Sequence, residues 1–165
     1  MSMQAVRPLR AVAQMILALA LMLVPALKAQ AASAPGDGVV SVASGYTFAE
    51  TIDRLKKDIA GKGIVLFAEI DQAKLASNAK IELRPSTLLV FGNPALGTQF
   101  LTSNPYSGLD WPVRLLVSQD SAGRVWASYS DFDWIARRHH ITDRAAAFKM
   151  ASEVIGSITS SIASH

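Results

Sequence analysis

Two strand-length stretches constrain this chain most. Ile64 to Ile70 reads IVLFAEI, and Ser86 to Phe91 reads STLLVF. Apolar residues that do not alternate with polar ones over six or seven positions signal strands buried on both faces. Both stretches are therefore expected inside a sheet, and a sheet needs a second layer to cover it. An amphipathic helix stands just before the first. Thr47 and Glu50 form a capping-box pair, Phe48, Ile52, Leu55 and Ile59 fall at helical spacing, and Gly61 and Gly63 supply the stop.

The remaining elements follow from local signals. Val39, Val40 and Val42 suggest a first strand. Asp71 can cap a short helix through Ala76. Gly92-Asn93-Pro94 ends the second apolar run and opens a helix to about Thr102, with Leu96, Phe100 and Leu101 inward. Asn104 to Pro112 is expected as a loop. Val113 to Ser118 and Arg124 to Ser130 form a hairpin around Asp120-Ser121-Ala122-Gly123. Asp131 caps a short helix across Trp134. Thr142 or Asp143 opens a last helix with Ala145, Phe148, Ile155, Ile158 and Ile162 on its apolar side. This order predicts an α/β (α+β) two-layer sandwich: a mixed or antiparallel sheet covered by helices, ending in a C-terminal helix.

The first 31 residues read as a signal peptide. Arg7 and Arg10 give a basic start, Ala11 to Val24 is apolar but for Gln14, and Ala29-Gln30-Ala31 is a small-residue cleavage site. Fourteen helical residues span roughly 21 Å, short of the approximately 30 Å hydrocarbon core, so cleavage after Ala31 is expected rather than an anchor. The membrane is then met only during export, and the product is periplasmic or secreted. Residues 32–38 read as a flexible linker, and 39–163 as one compact domain. Three of the 16 basic residues lie in the signal, leaving 13 against 13 acidic residues. The net +3 of the whole chain thus belongs to the leader and gives no support for nucleic-acid binding. With no cysteine, no disulfide can form and the core alone must hold the domain.

Several stretches resemble the bacterial family called domain of unknown function 302. They are Phe67-Ala68-Glu69-Ile70-Asp71, Arg84 through Pro94, Gly97-Thr98, Asp110-Trp111-Pro112-Val113-Arg114 and Val125 through Tyr129. The resemblance runs from roughly Val39 to Ala163. It implies a compact α/β fold, a homodimer and no established reaction. Many members carry His where this chain has Gln72, so chemistry based on that His is not expected here.

Three sets of residues are candidates for function. Gly92, Asn93, Gly97 and Thr98 surround a helix N-terminus, where free N–H groups and the helix dipole favour a small anion; a plain helix cap explains the same residues. Glu69 and Asp71, two apart, could share a proton or bind a cation, or serve a hydrolase-like enzyme with Arg84 as electrostatic partner; an edge polar residue and a cap explain them too. Arg84, beside Pro85, and Arg114, two residues after Pro112, could hold a carboxylate or phosphate by a bidentate fork or form internal salt bridges. Asp131, Asp133, His139 and His140 lack metal-ligand spacing, and Arg137 and Arg138 would repel a cation, so a solvated helix end is expected and no metal. No cofactor motif, P-loop or nucleophile elbow is present. Trp111, Trp126 and Trp134 are expected as core or interface anchors. The leading expectation is a non-enzymatic small-ligand-binding module. The alternatives are the Glu69/Asp71 enzyme and a purely structural or interaction domain.

Overall fold

A computed structural model describes residues 37–163. The signal segment, most of the linker and His165 lie outside them. Strand β1 (Val39–Ala43) leads to helix α1 (Phe48–Gly61) and β2 (Val65–Asp71). Helix α2 (Gln72–Asn78), β3 (Ser86–Gly92) and α3 (Pro94–Ser103) follow. A 3-10 turn (Pro105–Leu109), the hairpin β4 (Val113–Gln119) and β5 (Val125–Ser130), then α4 (Phe132–Arg138) and α5 (Ala145–Ser160) complete the domain. The sheet is antiparallel throughout, in the order β1-β5-β4-β3-β2.

One face of the sheet carries the core. Leu89, Phe91, Leu115, Val117, Val125 and Ala127 are buried there against Leu55 and Ile59 of α1, Phe100 of α3, Phe132 and Ile135 of α4, and Phe148, Ile155 and Ile158 of α5. Residues two apart on a strand share a face, which places Leu88, Val90, Arg114, Leu116, Ser128 and Ser130 on the other one; these are less buried. The arrangement is the expected two-layer one, with helices on a single side.

The expected caps form. In α1, Thr47 Oγ1 accepts from the Glu50 N–H while Glu50 accepts from the Thr47 N–H. Asp71, Asn93 and Asp131 accept from the N–H groups of Lys74, Leu96 and Trp134 respectively. In the hairpin turn, Gly123 has φ +78°, and the Asp120 carboxylate receives the Ala122 and Arg124 N–H groups and the Trp126 indole N–H.

Some elements differ from expectation. β2 is an edge strand, whereas β3 is internal. The apolar run of β2 does not reveal this, because edge position depends on which strands lie beside it, and Val65 and Phe67 stand exposed. Residues of the 104–112 loop form a 3-10 turn, capped by Asn104, whose side chain accepts from the Tyr106 N–H. Helix α5 starts after Arg144 rather than at Thr142 or Asp143, since the Asp143 carboxylate is taken by the Ser103 hydroxyl and Arg144. Its buried side runs through Ala147, Phe148, Ala151 and Ile155, and Ala145 is exposed. The last two linker residues are held: Asp37 accepts from the Val39 N–H, and Gly38, at φ +71°, lies against the Trp134 ring.

Candidate functional site

A cleft opens at one end of the helix-covered layer, between α3, α5 and the end of β3. It has a volume of about 390 Å³. Phe91, Leu96, Phe100, Trp111, Val113 and Ile155 form its apolar walls, and Lys62, Asn93 and Glu153 add polar groups. The sequence places these side chains by simple means. Strand alternation turns Phe91 and Val113 to the helix side, where they are directly opposed across β3 and β4. Helical spacing sets Leu96 and Phe100 four residues apart, on one side of α3.

Trp111 shapes this cleft, and two glycines make room for it. A Cβ on Gly97 would stand 1.8 Å from Trp111 Nε1, and one on Gly92 would stand 3.2 Å away. The first would force the ring or α3 to move, and the second is tight. The outer side of the indole meets Phe67 edge-on, with ring centroids 6.2 Å apart. The Gly92-Asn93-Pro94 and Gly97-Thr98 elements are therefore the bed on which the ring of the Asp110-Trp111-Pro112 element lies.

The residues singled out from the sequence separate in space. Gly92, Asn93 and Gly97 line the cleft. Thr98 is exposed, and its hydroxyl donates to the Pro94 carbonyl. Glu69 pairs with Lys56, whose ammonium pKa is raised chiefly by that bond. Asp71 is engaged as the α2 cap. Arg84 donates from Nε to the Gln119 carbonyl. None of Glu69, Asp71, Arg84 and Thr98 lines the cleft. At the start of α3, Leu96 N–H goes to Asn93, Gly97 N–H goes to the Asn93 carbonyl, and Pro94 has no N–H. The cap thus takes the N–H groups of Leu96 and Gly97. Gln72 accepts from the Ser86 hydroxyl at 2.7 Å.

A polar cluster was not foreseen. The helix end at 137–140 is not simply solvated: His139 is buried, and its Nε2 lies 2.6 Å from Asp110 Oδ2. Arg138 Nη1 donates to both Asp110 oxygens at 2.9 and 3.1 Å. Arg114 Nη2 stands 3.6 Å from Oδ1. The Asp110 side chain is only 8 % exposed. Its place beside Trp111 in the sequence was the available signal; nothing local announced that α4 would return to it. His140 is exposed, with φ +53°. Among the described residues no group of three metal-ligating side chains gathers.

Comparison with known proteins gives the family. Residues 40–163 match a family described as "Domain of unknown function DUF302". An uncharacterized conserved protein DUF302 from Bacillus stearothermophilus has a similar structure, with TM-score 0.70 at 15% identity, covering 76% of this chain and 98% of that one. The fluoride-specific ion channel FluC 1 of Brucella suis biovar 1 (strain 1330) is 36% identical over 110 residues, 67% of this chain and 43% of that protein. FluC 2 of Brucella melitensis biotype 1 is likewise 36% identical, over 67% of this chain and 41% of its own. The chain thus spans less than half the length of these curated relatives. With its profile matched from one end of the described domain to the other, this chain belongs to the DUF302 family.

Proposed function

We propose that the protein is an exported small-ligand-binding module whose ligand is a compact, largely apolar molecule. The cleft beside Trp111 carries this reading. Its volume falls in the roughly 300–1,000 Å³ range of small-molecule sites, and its lining has the usual make-up of apolar walls with a few polar groups. The anion expected at the start of α3 has little to bind, because the cap takes the N–H groups of Leu96 and Gly97. A homodimer, as the family resemblance implies, is part of this proposal, and sedimentation checks it. The enzyme alternative is weakened by the engagement of Glu69 with Lys56 and of Asp71 with the α2 cap.

The test is ligand-observed and protein-observed NMR with indole as an apolar probe. Indole should shift the amides of Gly97, Phe100 and Ala151 saturably and raise the melting temperature. Val154→Trp, which fills the cleft from α5, should abolish both effects while keeping a dispersed spectrum. Failure of indole and of a panel of similar apolar compounds to bind there would remove the proposal.

The fluoride-channel relatives favour a second, compatible reading of context. A channel crosses the bilayer through helices or a closed barrel, and among the described residues no helix is long and apolar enough to cross a membrane. We read the shared segment as an extramembrane module in those proteins. Purified protein soaked in fluoride and followed by NMR would test whether the module itself senses that ion.

A further inference from the structure

The uncovered face of the sheet holds a second depression, separate from the cleft. It is an open trough of about 560 Å³ lined by Val39, Leu88, Leu109 and Leu116, with Ser128 and Ser130 of β5. The charged residues lining it are Asp110, Arg114 and Arg138. Two guanidinium groups facing one carboxylate leave an excess positive charge at one end of an apolar floor.

The two arginines are not equivalent. Arg138 is committed, with both of its short contacts on Asp110. Asp110 also receives His139, so its oxygens are crowded. Arg114 stands at 3.6 Å, too far for a hydrogen bond, and its side chain is 50 % exposed. Its planar fork therefore remains free to receive two oxygens in parallel, the geometry that suits a carboxylate. The Ser128 hydroxyl is shared with Ser41 at 2.8 Å.

We propose that this face binds a small monocarboxylate with an apolar body, its carboxylate on Arg114 beside Arg138 and its chain along Leu88, Leu116 and Val39. Charge complementarity chooses the head group, and the leucine floor chooses the tail. Asp110 is a positioning residue: it fixes Arg138 and leaves Arg114 unfilled.

The experiment titrates the protein with hexanoate by NMR, using 1-hexanol and acetate as partial probes. Hexanoate should shift the amides of Leu116, Ser128 and Ser130 saturably, leaving Phe100 and Ala151 still. Hexanol and acetate should each bind roughly tenfold more weakly, the cost of losing one charge-assisted contact or the buried tail. Arg114→Ala should weaken hexanoate by about tenfold or more, Arg114→Lys by less, and Lys149→Ala on the distant face of α5 not at all. The Arg114 side chain makes no hydrogen bond among the described residues, so its truncation should leave the fold intact, checked by the spectrum. Absence of saturable shifts on wild-type protein, shifts confined to the Trp111 cleft, or equal affinity for hexanoate and hexanol would each overturn the proposal. Loss of indole binding at the cleft with hexanoate binding retained would sink only the earlier reading.

Discussion

Replacing Gly97 by Ala should destabilise the domain, and the same replacement should stabilise it once Trp111 is gone. The added methyl would stand 1.8 Å from Trp111 Nε1 and 1.9 Å from Cε2. Neither atom belongs to a flexible chain end, so the ring or α3 must move. Overpacking of this kind costs about 1–3 kcal/mol, and the clash is severe enough to place it near the top. Against this, Ala inside a helix gains about 1 kcal/mol over Gly. The net loss is then about 1–2 kcal/mol, or roughly 3–8 °C in melting temperature for a domain of this size. In a Trp111→Ala background only the helix gain remains, so Gly97→Ala should now add about 0.5–1 kcal/mol. The coupling between the two sites is about 2–3 kcal/mol, within the range seen for residues in contact. Urea unfolding of the four proteins, with a common m-value, measures the cycle directly. A Gly97→Ala protein more stable than wild type, or a cycle that closes to zero, would refute the packing of Trp111 on Gly97 and with it the origin of the cleft.

Other substitutions test the frame around the two sites. Leu89→Ala, at the fully buried centre of β3, should cost about 2–5 kcal/mol by chemical denaturation. Asp110→Ala should cost about 2–3 kcal/mol, because buried His139 and the more exposed Arg138 lose their shared acceptor; a loss below 0.5 kcal/mol, roughly the effect of an exposed pair, would show the cluster to be dispensable. The Asp120 carboxyl is held well below its ordinary range, chiefly by the Trp126 indole N–H and then by the Arg124 and Ala122 contacts. A depressed folded pKa contributes stability above the unfolded value of 3.8 and loses it as pH falls toward the folded one. Asp120→Asn should therefore lower the melting temperature at pH 7, with the gap to wild type closing below pH 3.8; a gap constant down to pH 2 would be the wrong result.

Local chemistry made much of the fold legible. Thr47 with Glu50, Asn93 with Pro94, and Asp131 each carry a helix start within three or four residues, and the structure uses all of them. What failed was non-local. The run at Ile64 to Ile70 is apolar whether or not a further strand lies beside it, so edge position could not be read. Asp143 is as good a cap as Asp131 by composition, yet Ser103, 40 residues away, claims its carboxylate. The candidate sites divide in the same way. Gly92, Asn93 and Gly97 were visible as a turn, but their use as a bed for Trp111 depended on a residue 14 positions on from Gly97. Arg114 was visible as a potential fork, while the committed role of Asp110 depended on α4 returning to the sheet.

One five-residue stretch serves both depressions. At Asp110 to Arg114 the chain leaves the 3-10 turn and enters β4, where successive side chains take opposite faces. Trp111 and Val113 line the cleft of the helix layer; Asp110 and Arg114 line the trough on the bare face. Pro112 stands between them. Within β4 this alternation leaves little freedom: slipping the register by one residue would exchange Val113 and Arg114, putting a guanidinium into the apolar cleft. The partners fix the register from both sides. Gly92 and Gly97 leave a gap that fits an indole face, and Arg138 and His139 present donors that only a carboxylate satisfies. The Asp-Trp-Pro-Val-Arg sequence is in this sense a two-sided key, and its chemistry follows from having to be right on both faces at once.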